Sequence, residues 1–320
     1  MKKTWITLGL SAALLAGCGG GEEKKTDTAK ENEPAKETAA FPVTVTDAEG
    51  TKVEIEEAPD KIVSLIPSNT EIAFELGLGD EIAGVSDFDN YPEEVAQKEK
   101  IGGSEFNVEK IIGLDTDLVL AHASSAHNSK EGLQQLRDAG IDVLVVNDAQ
   151  NFEQVYDSIE MIGEATGKKK EADAEVKEMK EGLAEIEEKA SGIKGEDEKS
   201  VYIEVSPAPN LFTPGKNTFM NEMLELIHAN NAMSSQAGWA QVSEEAVIKA
   251  NPDVIVTTYG YYTENAVEQL MARQGWSTIP AVENKSVVDV NSDLVSRPGP
   301  RLVEGVEALA EAVYPDVFTQ

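Results

Sequence analysis

Two stretches of the chain, residues 107–120 and 243–256, repeat one helix–turn–strand pattern without a gap. Each begins with a residue that can cap a helix, Asn107 in the first copy and Ser243 in the second. Apolar residues then follow at helical spacing, and an aspartate leads into a β-branched run typical of a buried strand. Helix–turn–strand units also recur in unrelated α/β proteins, with carboxylates favoured at helix starts. Because the register holds over the whole unit, we predict two similar lobes with a cleft between them.

The elements around the repeat predict an α/β fold of two Rossmann-like lobes joined by a single long helix. Strands alternate with helices in both halves, as in parallel βαβ units, and about 280 residues are more than one core usually holds. We predict an N-terminal lobe over 42–166, a connecting helix over 167–192 and a C-terminal lobe over 193–320. The helix is indicated by apolar residues at steps of four and three: Ala172, Val176, Met179, Leu183, Ile186 and Ala190. A strut packed against both lobes is favoured over a coiled-coil seam, because the stripe covers only about three heptads.

The start of the chain has the pattern of a lipoprotein signal peptide over residues 1–18. Lys2 and Lys3 precede an apolar run too short for a permanent membrane helix, and residues 15–18 resemble a bacterial lipobox. Cys18 would then be lipidated as the first residue of the mature chain; an ordinary signal peptide with a chance cysteine is the alternative. Residues 19–41 are polar and predict a flexible tether. Cys18 is the only cysteine, so no internal disulfide can form.

The strongly negative net charge of the chain excludes some classes of binding partner. It has 59 acidic and 27 basic residues, a formal net charge of −32, which argues against nucleic acid and against anionic lipid surfaces. We interpret most of this charge as a solvated surface rather than a docking surface for a basic partner. No further hydrophobic run is long enough to span a membrane. Three histidines, with no zinc-ligand cluster, P-loop or Gly-x-Ser-x-Gly motif, give no sign of a metal site or of catalysis.

Three further segments carry a family resemblance: residues 64–71, 86–92 and 239–243. Together with the lipobox and the lobe–helix–lobe order, they resemble the periplasmic-binding-protein family for metal chelates over residues 42–318. Its members are the solute-binding components of ABC importers for vitamin B12, ferric siderophores and haem, and the likeness is greatest to the vitamin B12-binding proteins. The resemblance implies a monomeric, lipid-anchored binding protein, not an enzyme, on the extracytoplasmic face of the cell membrane. An ABC permease dimer and its ATPase would be its partners.

The resemblance also implies site residues. Ligand contacts would come from aromatic rings that pack on a corrin and from a polar pair that reaches its amide fringe: Phe88, Phe212, Trp239, Asp293 and Arg297. Flat aromatic faces with a few orienting polar groups suit a large, nearly neutral disc. Glu109 and Glu245, one in each repeat, would dock into arginine pockets of the permease dimer.

The chain departs from the family's B12 binders at two aromatic positions. It lacks a tryptophan shortly before residues 102–106, and His122 stands where another is found. Tyr91, Tyr259, Tyr261 and Tyr262 are candidates to supply replacement rings. His122 could ligate a metal or the cobalt of a base-free corrinoid, although an ordinary polar loop residue is the favoured interpretation.

We therefore predict a cobalamin-binding importer component and keep three rivals. A strongly anionic ferric catecholate would need several cations in the cleft, where only Arg297, Arg301 and Lys216 are candidates. A neutral or cationic hydroxamate complex is thus the better siderophore. Haem would use an axial tyrosine, histidine or methionine. The rival from another class is a lipid-anchored envelope enzyme that uses cleft carboxylates, which would show a strongly shifted carboxylate pKa.

Overall fold

The structure, a computed structural model, describes residues 41–319. The predicted signal peptide, Cys18 and all but the last residue of the predicted tether lie outside the described residues. Among those described, no helix is long and apolar enough to cross a membrane.

The N-terminal half contains an antiparallel hairpin and a five-stranded parallel sheet. Its strands are β1 Val43–Thr46, β2 Lys52–Ile55, β3 Ile62–Ser64, β4 Ile82–Val85, β5 Glu99–Lys100, β6 Leu118–His122 and β7 Asp142–Val146. Its helices are α1 Pro67–Glu75, α2 Val108–Gly113, α3 Ala123–Ala126, α4 Lys130–Asp138 and α5 Phe152–Thr166. The order across the sheet is β5-β4-β3-β6-β7.

The C-terminal half follows one long helix, α6 Lys169–Ala190. Its strands are β8 Ser200–Glu204, β9 Phe212–Pro214, β10 Asn230–Asn231, β11 Trp239–Gln241, β12 Val254–Thr257 and β13 Val287–Asp289. Its helices are α7 Phe219–Leu226, α8 Glu244–Ala250, α9 Ala266–Met271, α10 Pro280–Glu283, α11 Ser292–Ser296, α12 Leu302–Val313 and α13 Pro315–Phe318. Four strands form a parallel sheet in the order β10-β8-β12-β13, and β9 pairs with β11 as a separate antiparallel ribbon.

The two sheets share one topology. The order β4-β3-β6-β7 matches β10-β8-β12-β13, so β6 and β12 hold the same central position. These are the strands of the sequence repeat, preceded by α2 and α8. Asn107 and Ser243 cap those helices by accepting hydrogen bonds from the backbone N–H of Lys110 and Ala246. The fold class predicted from the sequence is confirmed.

The turns of the two repeats also correspond. Asp115 and Asn251, at equivalent positions, both adopt left-handed backbone conformations, with φ of 54° and 52°. Two residues further on, Asp117 accepts a hydrogen bond from the backbone N–H of Lys61, and Asp253 accepts one from that of Ser200. Each aspartate thereby ties the central strand to the start of its neighbour, β3 or β8.

Helix α6 spans 22 residues, about 33 Å, and buries the six apolar residues predicted for it. It packs on α5 of the N-terminal lobe and on α7 and α12 of the C-terminal lobe. Two glycines allow the close approach: a Cβ on Gly163 of α5 would lie 2.5 Å from Ala172, and one on Gly182 would lie 2.9 Å from Val303. The helix is therefore a strut between the lobes, as predicted.

The hydrophobic core has a central part shared by both lobes and an outer part in each. Along β6, Leu118 and Leu120 face the central core while Val119 faces the outer core of the N-terminal lobe. Along β12, Val256 faces the central core and Ile255 faces the outer core of the C-terminal lobe. Both sheets are thus covered on both faces, which explains their continuous apolar strands.

Candidate functional site

The candidate site lies where the carboxyl ends of strands from both lobes meet, the usual position of ligand sites in open α/β sheets. Two adjoining cavities, of about 530 Å³ and 430 Å³, open there. They share five lining residues, one from the N-terminal lobe and four from the C-terminal lobe: Phe88, Tyr261, Ser292, Asp293 and Arg297. We call these two cavities together the cleft.

Two other cavities do not combine residues of both lobes. One of about 630 Å³ lies at the amino ends of the C-terminal strands and is lined in part by Lys199 and Asp253. Another of about 750 Å³ lies beside α4 in the N-terminal lobe and includes His127. The cleft is therefore the site that the fold itself creates between its two halves.

Three aromatic rings line the cleft with exposed faces. Phe88 is 57% exposed, Trp239 is 42% exposed and Tyr261 is 78% exposed. Large side chains of this kind are usually more deeply buried. Phe88 comes from the loop after β4, and its ring lies over Gly103, where an added Cβ would be 3.1 Å away. Trp239 lies on β11 and packs edge-on against Phe219, with ring centroids 6.2 Å apart. The structure thus brings together the aromatic residues predicted at positions 88, 239 and 261.

The loop that carries Phe88 is fixed by polar contacts at its base. The hydroxyl of Ser86 donates to the buried carboxylate of Asp89. Lys100 donates to the backbone carbonyls of both residues, at 3.1 Å and 2.9 Å. Burial raises the pKa of Asp89, and the hydrogen bond from Ser86 opposes that shift. These bonds fix the loop whose residues Phe88 and Asn90 line the cleft.

Four predicted aromatic contacts lie outside the cleft lining: Phe212, Tyr91, Tyr259 and Tyr262. Phe212, on β9, is partly exposed on the same face of the ribbon as Trp239 but two residues further along it. The ring of Tyr91 is covered by the guanidinium of Arg301, 4.0 Å from the ring centroid.

The placement of Tyr259 corrects the sequence interpretation. Its side chain is 1% exposed, and its hydroxyl donates to Glu204 rather than facing the cleft. Glu204 is also bound by both terminal nitrogens of Arg273, at 2.7 Å and 2.6 Å. Tyr259 is therefore part of a buried polar cluster beneath the loop, while Tyr261, two residues on, reaches the cleft.

The base of that loop is held from below as well. Asp289, at the end of β13, accepts hydrogen bonds from the hydroxyl of Thr257 at 2.6 Å and from the backbone N–H of Gly260 at 3.0 Å. A Cβ on Gly260 would lie 2.2 Å from the Asp289 carboxylate. A side chain at position 260 would displace the Asp289 carboxylate from the loop that carries Tyr261.

A polar network that includes three cleft-lining residues crosses between the lobes. Glu71 of α1 accepts hydrogen bonds from Arg297 at 2.8 Å and from two nitrogens of Arg301 at 2.8 Å and 2.7 Å. Asn90 accepts a bond from Arg297 and donates one to Asp293, both at 2.8 Å. Arg297 also pairs with Asp293 at 2.9 Å. We call these five residues the inter-lobe network.

The inter-lobe network shows that the predicted polar pair, Asp293 and Arg297, also connects the two lobes. Asp293 and Arg297 do line the cleft, but both are already bound to residues of the opposite lobe. Sequence reasoning missed Glu71 and Asn90, and it considered Arg301 as a candidate cation of the cleft, which Arg301 does not line. Both missed residues fall within segments 64–71 and 86–92, where short polar residues follow buried strands.

His122 lies at the wall of the cleft as the buried last residue of β6, which corrects its interpretation as an ordinary polar loop residue. It is 4% exposed, and burial lowers the pKa of its imidazole. Its Nδ1 accepts a hydrogen bond from the backbone N–H of Ser124 at 3.3 Å and lies 2.8 Å from that residue's hydroxyl. Because Nδ1 accepts from Ser124, the neutral ring has its proton on Nε2, so a metal could bind Nδ1 only by displacing that hydrogen bond and Nε2 only after a change of tautomer. No group of three or more potential metal ligands occurs among residues 41–319.

Glu109 and Glu245 occupy equivalent positions in the first turns of α2 and α8, and both are exposed. Hydrogen bonds from its own backbone N–H and from Ser243 lower the pKa of Glu245. One carboxylate is thus presented by each lobe at the start of each repeated helix.

The chain belongs to the periplasmic binding protein family, whose sequence model matches residues 62–294. A protein of Bacillus subtilis (strain 168) named as an uncharacterized ABC transporter substrate-binding lipoprotein, YvrC, is 55% identical over 99% of this chain and 98% of its own length. A protein of Halobacterium salinarum (strain R1) named as cobalamin-binding is 30% identical over 88% of this chain and 76% of its own length. This family consists of substrate-binding transport proteins.

Solved structures show the same two-lobe fold. A possible iron-binding, periplasmic solute-binding protein from Staphylococcus epidermidis is 38% identical, with a TM-score of 0.73 over 81% of this chain and 100% of its own. The haem-binding protein RhuT from Roseiflexus is 24% identical, with a TM-score of 0.73 over 81% of this chain and 99% of its own. The vitamin B12-binding protein BtuF of Vibrio cholerae is 24% identical, with a TM-score of 0.66 over 80% and 96%. The last two likenesses establish the fold alone.

Proposed function

We propose that this protein is the solute-binding lipoprotein of an ABC importer, that it binds cobalamin in the cleft, and that it acts on the extracytoplasmic face of the cell membrane. The observation that carries the ligand assignment is the convergence of Phe88, Trp239 and Tyr261, from both lobes, on one cleft. Exposed aromatic faces suit a broad, amide-fringed disc. The Halobacterium relative is named as cobalamin-binding, which also supports this ligand.

The first experiment is a calorimetric titration of the chain lacking residues 1–18 with cyanocobalamin. We expect one-to-one binding, weakened about tenfold or more by Trp239→Ala, because a buried aromatic anchor contributes on the order of 2 kcal/mol. Phe212→Ala is the matched control, since that ring lies on the same ribbon face outside the cleft. Absence of cobalamin binding, or equal losses in the two variants, would contradict the assignment.

The binding step is proposed to end in docking to a permease dimer through Glu109 and Glu245. Ligand binding would shift a small hinge motion between the lobes, limited by α6 and the inter-lobe network. Two equivalent carboxylates, one on each lobe, would suit a permease dimer with two-fold symmetry that presents one arginine pocket to each lobe. Reversal of both charges, Glu109→Lys with Glu245→Lys, should abolish uptake in cells and leave ligand affinity unchanged. Reduced affinity in the purified variant would argue against the docking role.

Lipidation of Cys18 is proposed to hold the protein at the membrane, with residues 19–41 as the tether. The relative in Bacillus subtilis is named as a lipoprotein, which supports this proposal. Cys18→Ser should release the protein from the membrane fraction and prevent incorporation of labelled fatty acid. Retention of the label would exclude Cys18 as the lipidated residue.

An iron chelate is the second candidate ligand, supported by the relative described as possibly iron-binding. A ferric hydroxamate would use the same aromatic cleft. Haem would need an axial ligand, and Tyr261 is the exposed cleft residue able to supply one. Mass spectrometry of ligand eluted from the native protein distinguishes these chelates, and recovery of a converted product would instead indicate the envelope enzyme.

A further inference from the structure

The cleft contains a single fixed positive charge. Among the described residues that line it, Arg297 is the only arginine, and no lysine is present. His122 also lines it, but burial lowers the pKa of its imidazole and so favours the uncharged ring. Arg301 and Lys216, the other cations suggested by the sequence, do not line the cleft.

The charge of Arg297 is already compensated. One terminal nitrogen of its guanidinium donates to Glu71 and to Asn90, each at 2.8 Å, and the other pairs with Asp293 at 2.9 Å. Glu71, whose side chain is 2% exposed, is shared with Arg301. Two carboxylates and two guanidiniums therefore form a neutral cluster. A ligand anion that recruited Arg297 would remove one of the two cations that compensate a buried carboxylate, which is unfavourable.

Two further carboxylates line the cleft outside this cluster. Asp148 follows β7 in the N-terminal lobe, and Asp289 ends β13 in the C-terminal lobe. Both residues are exposed, and the groups that donate to Asp289, from Thr257 and Gly260, are uncharged. The interior that a ligand meets is therefore negative on both sides.

We infer that the cleft selects its ligand by charge: it accepts neutral or cationic metal chelates and rejects those that present carboxylates or catecholates. This inference rests on the proposed solute-binding function and does not depend on which chelate is bound. It disfavours haem, with its two propionates, and ferric catecholates. It leaves cobalamin and the neutral or cationic ferric hydroxamates, and it makes Asp148 and Asp289 determinants of specificity.

The test uses pairs of chelates that differ by one charge. One pair is a linear ferric trihydroxamate with a free terminal amine and the same chelate acetylated at that amine. The other pair is aquocobalamin, a cation under mildly acidic conditions, and neutral cyanocobalamin. Calorimetry with the soluble chain should give the cationic member about tenfold tighter binding at low salt, since a unit charge near one or two partly solvated carboxylates contributes on that order. The preference should shrink at high salt.

Substitutions test whether the cleft carboxylates cause the preference for the cationic chelate. Asp148→Asn combined with Asp289→Asn should remove it, while Asp157→Asn, an exposed aspartate of α5 outside the cleft, should leave it intact. A preference for aquocobalamin that survives the double variant and comes with a changed corrin absorption spectrum would indicate ligand exchange at cobalt and would overturn the charge explanation.

The remaining outcomes separate this inference from the proposed ligand. If cyanocobalamin binds but neither pair shows a charge preference, the inference is wrong and the cobalamin assignment stands. If cobalamins fail to bind while the amine-bearing hydroxamate binds more tightly than its acetylated form, the assignment is wrong and the inference stands. Tight binding of haem or a ferric catecholate to the unmodified cleft would overturn the inference.

Discussion

Two buried glutamates, Glu71 and Glu204, are held by arginines in almost the same way but in different parts of the fold. Glu204 is 0% exposed and is bound by Arg273 of the same lobe. Glu71 is 2% exposed and is bound by Arg297 and Arg301 of the opposite lobe. The chemistry is shared, so the difference lies in what each pair connects. The first fixes a loop within one lobe, and the second fixes one lobe against the other.

The largest expected effect comes from breaking the pair within the lobe. Arg273→Met leaves Glu204 buried without a cation, and removing one partner of a buried pair costs about 3–5 kcal/mol. The free energy of unfolding, measured in urea, should fall by that amount. The double variant with Glu204→Gln should recover part of the loss, because no unpaired charge remains. A loss below about 1 kcal/mol in the single variant, the scale of an exposed pair, would contradict the buried pairing.

The pair between the lobes should affect geometry as well as stability. Glu71→Gln keeps the shape of the side chain but removes the charge that both arginines share, at a cost of about 2–3 kcal/mol. We expect a broader distribution of distances between spin labels placed on α4 and α9, and weaker ligand binding. Glu204→Gln is the matched control and should leave that distribution unchanged. Identical distributions in the two variants would mean that Glu71 does not set the cleft width.

A third comparison concerns glutamates of α6 and α1 that lie near one another, so that their like charges repel. Burial, with Glu75 of α1 and Glu178 of α6, raises the pKa of Glu175 from 4.5 to about 7. The folded protein therefore holds a proton that the unfolded chain releases, so stability from this group increases as the pH falls from about 7 toward 4.5.

Glu175→Gln should remove that pH dependence and stabilise the protein by about 1 kcal/mol above neutral pH, a value reduced for the half-exposed position. Thermal unfolding over this pH range measures both effects. Glu185→Gln, on the exposed face of α6, is the control. Parallel pH profiles for Glu175→Gln and the unaltered protein would show that Glu175 is not the titrating group.

The smallest effect is expected for an ion pair at the surface. Lys177 and Glu181 pair at 2.9 Å on α6, with side chains 74% and 64% exposed. A double-mutant cycle with alanine at both positions should give a coupling of about 0.3 kcal/mol that salt weakens. The same cycle applied to the buried pair of Glu71 and Arg301 should give a larger coupling energy. Equal coupling energies would show that burial does not distinguish the two pairs.

Repeated and periodic features were predictable from the sequence. The N-caps Asn107 and Ser243, the strands that follow them and the buried stripe of α6 depend on local spacing, and the structure confirms them. Loop side chains were harder to predict, because a loop has no fixed period. Tyr259 and Tyr261 are separated by one residue, yet the first is buried and the second is exposed.

The inter-lobe network was the least predictable part of the site. Glu71 and Arg301 are 230 residues apart in the chain. Nothing in the surroundings of either residue in the sequence indicates its partner. Only the folding of residues 297–301 beside α1 brings them together. Long-range ion pairs of this kind depend on the finished fold and have no local signal.

The central core joins residues of both lobes through one face of α6. Although the lobes share a topology, neither is self-sufficient, because either one alone would turn a row of apolar side chains toward water. Recombination between relatives can therefore exchange the entire binding unit more readily than one half of it. For the same reason, a chimaera that combines halves from two relatives should be joined outside α6, so that the helix and both surfaces it covers come from a single parent.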